Sequence, residues 1–476
     1  MTFLITFNFK NRFTYSSWRL CVALKLNLMT FRIDRQTESD IELFSENQRI
    51  PSLFGFYNRT KTIGGQQLLY KIIRTPFSNK SFLENRKAEI NFTLKLDQSL
   101  NLNKRQFDFV EYYLKNRHLP LKNNIIDAIR DSIAYKLKPS NDYYVIREGI
   151  LYLVNILNDF RKYCENAQES NPPDSLKDVM SNALELLNNK AILGIFRNVP
   201  RDSKKIKPKQ INLLDNFFRE KRRHELRSVL DTIYRIDVLQ SHCELIRNEK
   251  FCLPEYSEGD NPVFQALECK HPLLKNPITN SIELDSKRSL CFITGPNMSG
   301  KSTFLKTIGI LTYFAHLGIP VPAKRLIIPI LNGLFTTINL PDSLNQGLSH
   351  FLVEVNRVKE LSLAIRDNQY LVIILDELFR GTNVKDAFDG TLMVVKTLSK
   401  IKGAFFFIST HILEVAESLS ESNSISFVCF ESILNDNSPN YDYKLKNGIT
   451  SERVGMQILN NEKIEEILNE IIRNQS

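Results

Sequence analysis

Leu290-Cys-Phe-Ile-Thr294 runs without a break into Gly295-Pro-Asn-Met-Ser-Gly300-Lys301-Ser302-Thr303. The short apolar run predicts a fully buried strand, and Phe304, Leu305, Ile308 and Leu311 beyond the loop follow helical spacing. The loop matches GxxxxGK[ST] in the context that gives the pattern meaning, a strand before it and a helix after it. Glycines let backbone N–H groups curl around phosphate oxygens, the lysine can reach the β and γ phosphates, and the next hydroxyl can ligate Mg²⁺. Gly295, Pro296, Asn297, Met298, Ser299, Gly300, Lys301, Ser302 and Thr303 are therefore the candidate cradle for ATP, with Ser302 a metal ligand.

Residues 371–375, Leu-Val-Ile-Ile-Leu, form a second buried run and end in Asp376-Glu377, about 75 residues after the lysine. An acid at that strand end can hold Mg²⁺ through its water shell, and the next carboxylate can orient and deprotonate an attacking water. Asp376 is thus the second metal candidate and Glu377 the candidate base. A third run, residues 404–410, ends at His411, where an imidazole could sense the γ-phosphate. Strands alternating with helices imply an α/β sheet whose ligands gather at the carboxyl ends of strands. Between the two motifs, Ser349 follows Gly347 at the start of a helical pattern; it suits an N-cap and equally a phosphate grip from a partner subunit.

The amino-terminal half reads differently. Residues 34–247 are mostly helical in pattern, with breaks at 169–175 and 201–210. The second break opens a basic run, Lys204, Lys205, Lys207, Lys209, Arg219, Lys221, Arg222 and Arg223, which reads as a solvated face or a DNA contact. The chain of 476 residues carries a net charge of +10, which suits a polyanionic partner, and is long enough for two or three domains. Its seven cysteines have no metal-ligand spacing and read as buried thiols in a reducing compartment. No run approaches the roughly 18 apolar residues of a membrane span. Residues 1–33 are expected to be a disordered leader, with Met29 an alternative start.

These motifs resemble the MutS family. TGPNMSGKST is similar to its Walker A, with Ser299 where glycine is more usual, SHFLVEV to its signature helix, and VIILDELFRGTNVKDAFDG to its Walker B and D-loop. Ser409-Thr410-His411 resembles the family's switch histidine, Lys270-His271-Pro272-Leu273 the opening of its ATPase domain, and Ile278-Thr-Asn280-Ser-Ile its adenine-side loop. Asn58-Arg-Thr60-Lys-Thr62-Ile-Gly64 and Ile236-Asp237-Val-Leu-Gln-Ser241 resemble the entry to and exit from its core-lever domain.

The resemblance implies a multidomain chain: a mainly helical core-lever domain over residues 34–247, with a reduced clamp, then an α/β P-loop ATPase domain of ABC type over 248–476 ending in a short helix at 458–472. It adds Asn280 and Ser349 to the ATP site, with Ser349 serving the site of the other subunit of a homodimer. It implies an Mg²⁺-dependent ATPase, cytoplasmic and nucleoid-associated, that clamps double-stranded or branched DNA in repair or recombination alongside other repair proteins. The family's amino-terminal Phe-x-Glu wedge domain has no counterpart before residue 34, so mismatch discrimination is not expected. The alternative is an ABC-type switch acting on a protein or RNA partner.

Overall fold

The computed structural model describes residues 31–45, 51–96, 98–116, 119–122, 124–137, 141–200, 205–259, 261–338, 350–367, 370–435, 438–450 and 464–475. The expected leader up to residue 30, Lys204, Ser349 and residues 451–463 lie outside them. Among the described residues no helix is long and apolar enough to cross a membrane.

The three apolar runs become neighbouring strands. β4 (Leu290–Thr294), β7 (Leu371–Asp376) and β8 (Phe405–Ser409) join β6 (Gly333–Thr337), β9 (Ile425–Asn435) and β10 (Ser438–Asn447) in the order β10-β9-β4-β8-β7-β6. All pairs are parallel except β9–β10. The strands' twofold alternation sorts side chains into two layers. Cys291, Ile293, Val372, Ile374, Phe405 and Phe407 face the Lys301–Ala315 helix and the larger core. Leu290, Phe292, Ile373, Phe406 and Ile408 face the core shared with the helices Val384–Leu398 and Leu413–Leu419. A smaller mixed sheet, β1 (Glu255–Ser257), β5 (Arg325–Pro329), β2 (Phe264–Cys269) and β3 (Asn280–Leu284) in that spatial order, packs Phe264 onto Phe405 and Phe407.

The helical half is built around the long Arg223–Glu249 helix, against which Ile63–Ile73, Lys80–Lys95 and Asp174–Leu187 pack. Two stretches far apart in the sequence meet here. The Asp237 carboxylate accepts from the Lys61 and Thr62 amides, each at 2.9 Å, and from the Thr62 hydroxyl at 2.6 Å. The same hydroxyl caps the Ile63–Ile73 helix by accepting from the Gly65 N–H at 2.9 Å. A Cβ on Gly65 would lie 2.4 Å from the Asp237 carboxylate, so only glycine permits this approach.

Two expectations are corrected. Residues 31–33, assigned to the leader, belong to the sheet: Phe31 is buried, and Arg32 bridges Gly333 in parallel beyond β6. Residues 34–40, assigned to the helical half, continue onto the same edge. Asp34 caps the Arg35–Asp40 helix, the Thr37 hydroxyl accepts from the Thr336 N–H, and Asp40 accepts from the Thr336 hydroxyl and the Ile338 N–H. An amino-terminal segment pairing with a strand some three hundred residues away leaves no periodic signature. The basic run also departs from a plain helix: Pro208–Asn216 passes into a π turn at Phe217–Lys221 before the long helix begins.

Asp237→Ala strips the acceptor from three donors at a buried junction. It is expected to lower unfolding stability by about 3 kcal/mol or more, read from the urea midpoint; an unchanged midpoint would rule out the junction as a structural staple.

Candidate nucleotide site

The loop after β4 closes by means of its glycines. Gly295 (φ +147°) and Gly300 (φ +105°) adopt left-handed backbone, and a Cβ on Gly295 would lie 2.7 Å from the Phe430 carbonyl oxygen. The Lys301–Ala315 helix starts at the loop's end, so its amino-terminal N–H groups face the loop. Lys301 is buried and donates to the carbonyls of Gly295 (2.8 Å) and Pro296 (3.0 Å). Burial pulls its pKa below the ordinary lysine value, with Glu377 and Asp376 opposing.

The parallel register brings the other candidates alongside. Asp376 ends β7 beside Ser409, which ends β8. The hydroxyls of Ser409 and Ser302 both hydrogen-bond the Asp376 carboxylate. Burial raises the pKa of Asp376 above the ordinary carboxylate value, and those two hydroxyls offset part of the rise. Glu377 adopts φ +51°, with its N–H held by the Ser409 carbonyl at 3.1 Å. Its carboxylate lies 3.9 Å from the Lys301 ammonium, 3.9 Å from His411 Nδ1 and 3.5 Å from Arg380. The imidazole of His411 is half exposed.

Asp376, Glu377 and Arg380 line one side of a cavity of about 660 Å³, within the range of small-molecule sites, while His411 and Ser409 stand behind that lining. Asn297, Met298, Gly300, Lys301, Ser302 and Thr303 line it as well. Met298 stands exposed at the loop tip, while Ser299 is buried with a hydroxyl that has no partner. Asn280 lines the cavity, but its amide is already committed, donating to the Tyr443 carbonyl at 3.0 Å and accepting from the Leu445 N–H at 2.8 Å. It staples β3 to β10 and so holds Tyr443 as a wall.

Sequence reasoning missed Phe430, Arg380 and Glu354. Phe430 joins the wall only because β9 pairs with β4. Glu354 lies on the His350–Asp367 helix and accepts from the N–H groups of Arg380 (3.3 Å) and Gly381 (3.5 Å), binding that helix to the loop after β7. Arg380 and Glu354 carried a signal, their places within the stretches that follow Asp376-Glu377 and Ser349, and Phe430 carried none.

The basic run does not come together as expected. Arg219 is buried, and its Nε and Nη2 each lie 2.6 Å from the Asp215 carboxylate, which also accepts from the Tyr113 hydroxyl and the Leu121 N–H. It is a structural cation and no DNA contact. The π turn places it inside, one turn beyond Asp215. Arg222 pairs with Glu225 at 2.9 Å. Lys205, Lys207, Lys209, Lys221 and Arg223 are exposed.

The carboxyl-terminal part, residues 291–474, matches the family model described as MutS domain V. The chain is 31% identical over 196 residues to the DNA mismatch repair protein MutS of Bacillus licheniformis, covering 40% of this chain and 22% of that protein. It is 30% identical over 233 residues to the protein of the same name from Staphylococcus aureus, covering 48% and 26%. The matched segments span about a quarter of the length of these curated relatives.

The Ser409 hydroxyl steadies the Asp376 carboxylate in its ionised form. Ser409→Ala should weaken Mg²⁺-dependent nucleotide binding by about 10- to 100-fold. It should also move the acid limb of that binding to higher pH, because a carboxylate deprived of a donor takes up its proton sooner. Titration calorimetry across pH checks both, and an unaltered Mg²⁺ dependence would dismiss the assignment of Asp376.

Proposed function

We propose, for a chain that belongs to the MutS family through residues 291–474, that it is an Mg²⁺-dependent ATPase whose nucleotide state governs a grip on DNA. The observation that carries the reading is the convergence of Lys301, Ser302, Asp376 and Glu377 on one cavity at the carboxyl ends of β4 and β7, with His411, just past β8, 3.9 Å from Glu377. The residues suit ATP with Mg²⁺. The glycine cradle and the buried, unpartnered Ser299 hydroxyl offer phosphate oxygens a close approach, and Ser302 with Asp376 forms the oxygen donor pair that Mg²⁺ favours. When bound, Mg²⁺ supplies charge neutralisation at the phosphates. Lys301 holds the β and γ phosphates, Glu377 orients water and takes its proton, and His411 senses the γ-phosphate beside it.

In this reading residues 34–247 act as a lever and residues 248–476 as an ABC-type ATPase domain. Two subunits pair head to head, with Ser349 of one completing the site of the other. The protein works in the cytoplasm at the nucleoid, in repair or recombination. Exposed Lys205, Lys207, Lys209 and Lys221 supply phosphate contacts, which position a protein without reading bases. Branched or bent DNA is then distinguished by shape, and mismatched duplex is not preferred over matched.

Glu377→Gln should retain Mg-ATP binding and cut steady-state hydrolysis by about 10²- to 10⁴-fold. A variant that still hydrolyses ATP at the wild-type rate would show that another group is the base.

DNA affinity should fall with salt by a log–log slope of about −0.9 per phosphate neutralised. Replacing each of the four lysines by glutamine should flatten that slope by about 1. Gel shifts at several salt concentrations on matched, mismatched and four-way DNA read this out. A tenfold preference for the mismatch, or no binding at low salt, would contradict the reading.

A further inference from the structure

The helical half contains a second cavity that shares no lining residue with the nucleotide site. It is a cleft of about 700 Å³ between the Ile63–Ile73 helix, the chain just after the Lys104–Leu114 helix, and the start of the long Arg223–Glu249 helix. Leu68 on one helix and Leu226 and Leu230 on the other give it an apolar lining, to which Phe218 and Tyr234 also contribute. The rim is cationic. Arg223 and Arg227 flank Leu226 at helical spacing, and Lys71 follows Leu68 by one turn on the opposing helix. The π turn adds a residue just before this face, which turns Arg219 inward and leaves Arg223 towards the cleft.

The charges here do not cancel. The Glu111 carboxylate is taken up by the Gly64 N–H (3.1 Å), the Lys115 ammonium (3.0 Å) and the Tyr234 hydroxyl. Arg219 is committed to Asp215. Asp231 is the acid whose field reaches Lys71 and Arg227. Three cations from two helices thus converge over the apolar lining, opposed by Asp231.

Such a site takes an anion with several oxygens at its head and a flat or apolar body. A single organic ligand fits a cavity of about 300–1,000 Å³. We propose that this cleft binds one nucleotide, its phosphate held by Lys71, Arg223 and Arg227 and its base laid against Leu68, Leu226 and Leu230. Tyr234, the partly exposed aromatic residue of the lining, suits a base, which offers a π face whatever its identity. The nucleotide is either free or an unpaired residue of a nucleic-acid strand, and the same chemistry serves both. The inference rests on the helical half alone and does not depend on ATP hydrolysis.

The test is equilibrium binding of two probes, thymidine monophosphate and a short oligothymidylate, to the full chain with saturating Mg-ADP filling the other site. The wild-type chain is expected to bind at least one probe. Arg223→Gln with Arg227→Gln should weaken that binding on the order of tenfold or more, with ATP hydrolysis and thermal midpoint unchanged, and Leu230→Trp, which fills the floor from a buried position, should weaken it likewise. Comparable binding of the monophosphate and the strand supports a free nucleotide as the ligand, and binding of the strand alone supports an unpaired residue of DNA or RNA. If Leu230→Trp does not fold, the double glutamine variant, altered at two exposed positions, decides. Failure of the wild-type chain to bind either probe overturns the proposal, as does binding that the variants leave intact. Binding of polyglutamate in place of both probes would assign the cleft to an acidic protein partner and overturn it too. ATP hydrolysis is read in parallel, so a failed nucleotide switch and a failed cleft give different results.

Discussion

The carboxyl end of the Lys301–Ala315 helix must find donors for carbonyls that have no partner within the helix, and the surrounding chain supplies them. The Tyr256 hydroxyl donates to the Ala315 carbonyl at 2.6 Å, the Phe77 N–H to His316 at 2.8 Å, and the Arg86 guanidinium to Leu317. The Tyr313 hydroxyl reaches back to the Ile73 carbonyl at 2.7 Å, and the Tyr57 ring stacks on Phe314 with centroids 4.2 Å apart. The first turn of this helix faces the glycine loop after β4 and its last turn is embedded in the helical half. One rigid rod therefore touches both.

That junction is buried. His316 has no exposed surface, and burial lowers its pKa to about 4, so it is neutral at ordinary pH. Its Nδ1–H then donates to the Thr312 carbonyl, and Nε2 accepts from the Leu331 N–H at 2.9 Å. Phe31 stacks on the imidazole at 4.2 Å, which brings the amino-terminal segment to the same place. The larger apolar core runs on through this point, from Leu69 and Ile90 in the helical half to Ile293 and Phe407 in the sheet. A displacement of the glycine loop along the helix axis meets close-packed side chains, which transmit strain in preference to absorbing it.

The far edge of the sheet has its own tie. Arg357, on the His350–Asp367 helix, is buried and donates to Asp34 at 2.6 Å and to the Thr336 carbonyl at 2.7 Å. Glu354, one turn earlier, holds the Arg380 and Gly381 amides. The helix that follows β6 is thereby fixed both to the amino-terminal segment and to the loop carrying Glu377.

The residues themselves made legible the three strands that end at Thr294, Asp376 and Ser409 and the glycine loop after the first, because a contiguous motif keeps its groups at fixed local spacing and buried strands read as short apolar runs. They also marked the stretches around Thr62 and Asp237. What they did not reveal was that those stretches bond to each other, or that Asp376 leans on Ser409, since each pairing depends on which strands or helices become neighbours. Arg219 looked like any other cation of the basic run until the π turn carried it onto Asp215, and residues 31–40 looked like a leader and a first helix until β6 offered them an edge. Local sequence fixes backbone periodicity and the chemistry of contiguous motifs. Burial, charge pairing and the cleft between two helices arise from contacts between segments remote in the chain, and only the folded structure decides them.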